Sequence, residues 1–125
     1  MAAARYTVES LLQLAEALFV AAGMEAEKAQ SVATVLVTGD MVGQRTHGMA
    51  LCPAYIDQIE KGLMTTRGEP ELLRDSGSVV VWDGNYLPGP WLVSRALMTA
   101  SERIATHGVV TIVIRRSHHI ACLAS

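Results

Sequence analysis

Between Ser78 and Arg116 a strand-forming run, a turn signal, a helical stretch and a second strand-forming run succeed one another without a break. This order restricts the fold more than anything else in the chain. The run "SVVVW" has the β-branched density of a buried strand, and the "DGN" after it marks a turn. In "LPGPW", Pro90 suits the first turn of a helix, where its missing N–H costs no hydrogen bond. Val93, Ala96, Leu97, Ala100 and Ile104 then share one helical face, Gly108 closes the helix, and "VVTIVIRR" supplies the second strand. A crossover of this length joins parallel strands through a right-handed connection, so the sequence predicts a βαβ unit and an α/β fold.

The residues before this unit predict helices. Thr7 precedes a segment in which Leu11, Leu14, Ala15, Leu18 and Ala22 recur at three- and four-residue steps, with Gly23 as its stop. A second pattern from Ala26 to Met41 places Ala29, Val32, Ala33, Leu36 and Val37 on one face, and glycines at 39, 43 and 48 loosen the junction at its end. Pro53 opens a third helix with a stripe of Tyr55, Ile56 and Ile59, and Gly62 offers its C-terminal stop.

At 125 residues, half of them apolar, the chain has enough material for a core of its own. Its net charge of −2 comes from acidic and basic residues mixed along the sequence, so nucleic-acid binding has no electrostatic footprint. Two cysteines without a C-x-x-C spacing suggest neither a disulfide framework nor a structural zinc site, and a reducing, cytoplasmic setting is expected. The N-terminus lacks the pattern of a secretory signal, and the longest apolar runs fall far short of the roughly 20 residues of a membrane span. A protein with neither membrane nor nucleic acid as a partner is expected.

Chemistry concentrates in two places. "RRSHH" falls where the second strand runs out, and open α/β sheets place ligands beyond the carboxyl ends of their strands. Side chains alternate along an extended segment, so His118 and His119 enter one pocket only if the backbone turns between them, and one of the pair is expected to be structural. A histidine there can exchange a proton near neutral pH. The second cluster, "QRTHGMALCPAY", brings the hydroxyl of Thr46, the imidazole of His47 and the phenol of Tyr55 close in sequence. On residue type alone, the plainer reading of each histidine is a hydrogen-bonded boundary residue.

Both clusters, taken with the order of elements, resemble the N-terminal part of the type-2 malate and lactate dehydrogenase family. That family includes ureidoglycolate, sulfolactate and piperideine-carboxylate oxidoreductases. The resemblance is carried by Asp40, Gly43, Thr46-His47-Gly48, Pro53, Tyr55 and Gly62, then by Asp83-Gly84-Asn85, Gly89, "VVTIVIRR" and Ser117-His118-His119-Ile120-Ala121. It implies a helical N-terminal region over residues 1–66, and over 67–125 the first part of an α/β cofactor-binding domain with a mixed, non-Rossmann sheet. The absence of any G-x-G-x-x-G agrees with this. It implies a homodimeric oxidoreductase that moves hydride between NAD or NADP and a small 2-hydroxy, 2-oxo or imino acid. His119 falls on the family's proton-transferring histidine, with His47 as a second catalytic candidate. Thr46, Tyr55, Arg45 and Ser117 are the substrate-side candidates, and the cofactor-binding residues are expected mainly beyond Ser125.

The chain departs from the family pattern at three points. Thr46 stands for Ser and keeps the hydroxyl. Leu51 stands where an arginine often grips a carboxylate, which points to a different substrate or to Arg45, Arg115 or Arg116 as the source of charge. Ala121 replaces Gly and adds a Cβ. Two other readings compete: a non-catalytic dimerisation or interaction fragment, and a metal module built on His118, His119, Cys122 and His47. Because the match spans about the first third of family members, the 125 residues alone are predicted to bind the nicotinamide cofactor poorly or not at all. Measurable nicotinamide-dependent turnover by the purified chain, lost in His119→Ala, would contradict this.

Overall fold

The structure is a computed structural model and describes residues 4–124. Four helices, α1 (Val8–Ala21), α2 (Ala26–Met41), α3 (Cys52–Glu60) and α4 (Gly89–His107), combine with three strands, β1 (Glu71–Asp75), β2 (Val79–Asp83) and β3 (Thr111–Arg115). The strands form one mixed sheet in the order β1-β2-β3, with β1 antiparallel to β2, and β2 parallel to β3 across α4. The α/β class and the βαβ unit are therefore present. β1 is an addition to the sequence reading: its "ELLRD" is short, charged at both ends and exposed throughout, so no apolar alternation announces it. Among the described residues, no helix is long and apolar enough to cross a membrane.

The helices start and stop for local reasons. The Thr7 hydroxyl accepts from the Ser10 N–H at 3.2 Å, which satisfies one of the free amides at the start of α1. Pro53 and Pro90 occupy the first turns of α3 and α4, as their fixed φ favours.

Ala29, Val32, Ala33, Leu36 and Val37 are all buried, as the periodicity of α2 requires. Most of that face joins Ala15 and Phe19 of α1, Cys52 and Tyr55 of α3, and Met24, Met64 and Ala121 in one core.

Two predicted faces need correction. In α1 the buried residues are Ala15 and Phe19, while Leu14 and Leu18 are 52% and 38% exposed. α1 packs mainly along α2, and Phe19 also meets the Tyr55 ring of α3, so only the ridge aimed at this core is covered and the expected stripe straddles its margin.

In α4 burial is complete only over Gly89–Leu92; Val93, Ala96 and Ala100 are half-buried and Leu97 and Ile104 exposed. The first turn is wedged against α2. There the Trp91 indole N–H donates to Glu27 Oε1 at 3.2 Å, and the Lys28 ammonium lies 4.0 Å from the centre of the Trp91 ring. Lys28 is only 1% exposed and also pairs with Glu25, a buried role that its residue type does not announce. The later turns of α4 form one wall of an apolar groove whose other wall is Val110, Ile112 and Ile114.

The α1 assignment is directly testable. Phe19→Ala should destabilise the chain by about 3–5 kcal/mol, and Leu14→Ala by no more than about 0.5 kcal/mol, in urea unfolding followed by circular dichroism. Equal losses at the two positions would restore the predicted stripe.

Candidate functional site

The site begins at a buried carboxylate. Asp83 ends β2 with no exposed surface, and β3 runs parallel in a register that sets Arg115 opposite it. Arg115 Nε donates to Asp83 Oδ2 at 2.8 Å, Arg116 Nε donates to Oδ1 at 2.8 Å, and the Asn85 N–H donates to Oδ1 at 3.0 Å. The Arg116 guanidinium, followed by the Asn85 amide and Arg115, holds this carboxyl well below the usual carboxylate range despite its burial. The two arginines that close the strand are thus committed to Asp83. Arg45 lies exposed on another turn, where its carbonyl accepts from the Gly48 N–H at 3.4 Å and its side chain makes no hydrogen bond or ion pair among the described residues.

The clamp also turns the chain. Arg116 sits at φ +51°, and from there residues 117–121 leave the sheet and cross the start of α4. Gly89 makes the crossing possible: a Cβ there would stand 2.5 Å from the His119 carbonyl oxygen and 2.6 Å from that of His118. The His118 N–H donates to the Leu87 carbonyl at 3.1 Å, and Ala121, at φ +55°, enters the helical core. The strand has ended before the histidine doublet, so strand alternation no longer governs which way the rings point.

Both rings reach Tyr55, which is 3% exposed on α3: His118 meets it edge-on at 5.7 Å between centroids and His119 at 5.9 Å. They differ in surroundings. His118 is half-buried, its Nδ1 has no hydrogen-bond partner, and burial together with the neighbouring His119 pushes its pKa down, which disfavours the charged form. His119 is exposed on its outer side, while its Nδ1 lies 2.8 Å from the Tyr55 hydroxyl and 3.2 Å from the Ala121 N–H. Ser117 directs its hydroxyl to the His118 carbonyl at 2.7 Å.

The second cluster arrives from the other side. A 3-10 turn at Arg45–His47 folds back onto the end of α2, where a Cβ on Gly39 would lie 2.8 Å from the His47 carbonyl oxygen. A Cβ on Gly48 would lie 2.1 Å from Asp40 Oδ1, and Asp40 Oδ2 accepts from the Met49 N–H at 2.9 Å. These close approaches bring the His47 ring parallel to His119, with centroids 5.9 Å apart and planes inclined by 24°. Thr46 Oγ1 lies 2.9 Å from His47 Nδ1. An open hollow of about 280 Å³ adjoins His47 and is bounded by Gln44 and residues 121–124.

Thus contacts run from Thr46 to His47, from His47 to His119 and from His119 to Tyr55, while the Ser117 hydroxyl is turned to the His118 carbonyl and the Arg45 side chain meets none of them. Among the described residues no group of three or more His, Cys, Asp or Glu side chains is arranged to hold a metal ion. Asp83 is absent from the site expected on sequence alone. The signal that could have found it is a carboxylate and an arginine ending the two parallel strands of one βαβ unit.

The family model described as malate/L-lactate dehydrogenase matches residues 6–125. The chain belongs to the malate/L-lactate dehydrogenase family. It is 29% identical over 116 residues to an L-lactate dehydrogenase of Cupriavidus necator, covering 93% of this chain and 33% of that protein. It is 31% identical over 99 residues to a malate/(S)-sulfolactate dehydrogenase of Methanothermus fervidus, covering 79% and 29% respectively. A malate dehydrogenase crystal structure from Entamoeba histolytica superposes with a TM-score of 0.89 at 25% identity, over 94% of this chain and 33% of that one. The chain therefore spans about a third of the length of the malate/lactate-type relatives it matches.

The Asp83 clamp has a pH signature. A carboxyl held below its ordinary 3.8 in the folded state contributes stability that is complete above that value and is lost as pH falls toward the folded one. Asp75, paired with Arg103 and lowered to about 2, adds to the same acid limb. Thermal unfolding from pH 6 to pH 2 should show the melting temperature falling below about pH 4. Asp83→Asn should melt lower at neutral pH and lose less on acidification; an acid limb unchanged by that substitution would remove Asp83 from the account.

Proposed function

We propose that this chain carries the acid–base half of a hydride-transfer site, in a dehydrogenase that interconverts a small 2-hydroxy acid with its 2-oxo or imino counterpart using NAD or NADP. The observation that carries the reading is the convergence on His119 of the 3-10 turn, α3 and the segment after β3, inside a family named for such reactions.

When bound, the nicotinamide supplies or receives the hydride, and the residues of this chain manage the proton. His119 has an outward ring edge and an inner nitrogen already engaged, so Nε2 is the atom presented to a substrate oxygen. In reduction, the Nε2–H bond breaks as the substrate carbonyl oxygen gains the proton; in oxidation, Nε2 takes the proton of the hydroxyl. His47, stacked on His119, is the second catalytic candidate, and Thr46, whose hydroxyl lies beside His47 Nδ1, is assigned a hydrogen bond to an oxygen of the acid. With Arg115 and Arg116 held by Asp83, Arg45 is the arginine nearest this cluster in sequence and is assigned the substrate carboxylate, in place of the arginine absent at Leu51. Ser117 borders the segment, and Tyr55 reaches the site through its hydroxyl on His119.

The residues fit the reacting end of the cofactor and not its phosphates. The start of α4, the place where a helix could receive a pyrophosphate, lies between Pro88 and Pro90 and is covered at Gly89 by the carbonyls of His118 and His119. The same reading includes a homodimer in the cytoplasm.

Protein at the length its source makes it, assayed with a panel of 2-oxo acids and both reduced nicotinamides, should consume cofactor. His119→Gln should lower kcat/KM by about 10²–10⁴-fold. Full activity in that variant would contradict the assignment.

A further inference from the structure

The Nδ1 nitrogen of His119 has two hydrogen-bonding neighbours, and they are not equivalent. The Ala121 N–H, at 3.2 Å, can only donate, so it suits a ring whose Nδ1 carries no proton. The Tyr55 hydroxyl, at 2.8 Å from Nδ1 and 3.3 Å from the His119 carbonyl oxygen, can do two things. It can donate to a bare Nδ1, or it can accept from a protonated Nδ1 while its own hydrogen turns to the His119 carbonyl. Proton transfer through Nε2 requires this second arrangement. An imidazolium that gives up its Nε2 proton is left as the neutral Nδ1–H form, and the same form is the one able to receive a proton at Nε2.

We infer that Tyr55 is a positioning residue whose hydroxyl accepts the Nδ1 proton of His119 whenever the ring carries one, and so makes Nε2 the nitrogen that exchanges a proton with substrate. This rests on the proposed function for what the proton is used for, but not for the hydrogen bond itself. Burial of Tyr55 pushes its phenol up, so the hydroxyl keeps its hydrogen across the range in which histidine titrates. The other ionisable groups around the pair are His47 stacked on His119, His118 edge-on to Tyr55, Cys52 on the same helix, and Asp40 beyond Cys52. Without the Tyr55 hydroxyl, a proton on Nδ1 would face the Ala121 N–H.

The test uses the 125-residue chain labelled with ¹⁵N, with His119 followed through pH 5 to 9 by long-range ¹H–¹⁵N correlation. Tyr55→Phe keeps the ring and removes the oxygen. It should raise the share of the neutral Nε2–H form over the Nδ1–H form, read from the two ring-nitrogen shifts, with amide resonances of α1 and α2 unmoved. Unchanged ring-nitrogen shifts would overturn the inference. The wild type supplies a second measurement should the variant fail to fold. At acid pH the His119 Nδ1–H should resist solvent exchange and show a nuclear Overhauser effect to the Tyr55 ring; a freely exchanging Nδ1–H would also overturn it. Expected spectra here, with no nicotinamide-dependent activity in the protein at the length its source makes it, would contradict the proposed function and leave the role of Tyr55 standing.

Discussion

A carboxylate with no exposed surface, gripped by two successive arginines from the neighbouring strand, sets the geometry that everything nearby depends on. Burying Asp83 is costly unless its oxygens are fully engaged, and two guanidiniums and a backbone amide engage them. The interaction fixes the ends of β2 and β3 at the same level. It also ties down Arg116, the residue at which the backbone takes a left-handed turn and leaves the sheet. Residues 117–121 are therefore aimed across the start of α4 and into the helical layer, which carries His119 to Tyr55 from 64 residues away in sequence.

The opposite wall depends on small residues. Gly39 and Gly48 let the 3-10 turn lie directly on the end of α2, and Asp40 fastens it by accepting from the Met49 amide. Gly89 does the same for the histidine segment. In each case the absent Cβ permits backbone to approach backbone or carboxylate, so the reactive side chains are held by main chain rather than by their own flexible stems. Ala121 shows a different compromise: it adopts a positive φ that glycine would take more easily, and its methyl group lies in the helical core.

Much of this was legible in the sequence for identifiable reasons. The α2 face, the proline-led starts of α3 and α4, and the βαβ order come from period and punctuation, which are local properties. Leu14 and Leu18 mislead because periodicity marks an apolar stripe without saying how much of it the neighbouring helices cover. β1 was missed because an exposed, charged strand has no apolar alternation to read. Within the site, residue types and the family pattern pointed to Thr46, His47, Tyr55 and His119. The commitment of Arg115 and Arg116 to Asp83 could be read only once the strand register was known. Lys28 was hidden for a similar reason, since its burial depends on a tryptophan 63 positions further along the chain, from 28 to 91.

The central claim is that the turn at His47, the α3 helix and the segment after β3 meet at His119. Nuclear Overhauser contacts in solution test it most directly. The ring protons of His119 should show cross-peaks to the ring of Tyr55 on one side and to His47 on the other, consistent with centroid separations of 5.9 Å to each. If both contacts are missing while the core contacts of Phe19 with Tyr55 are intact, the helical layer folds without assembling the site, and the convergence on His119 is contradicted.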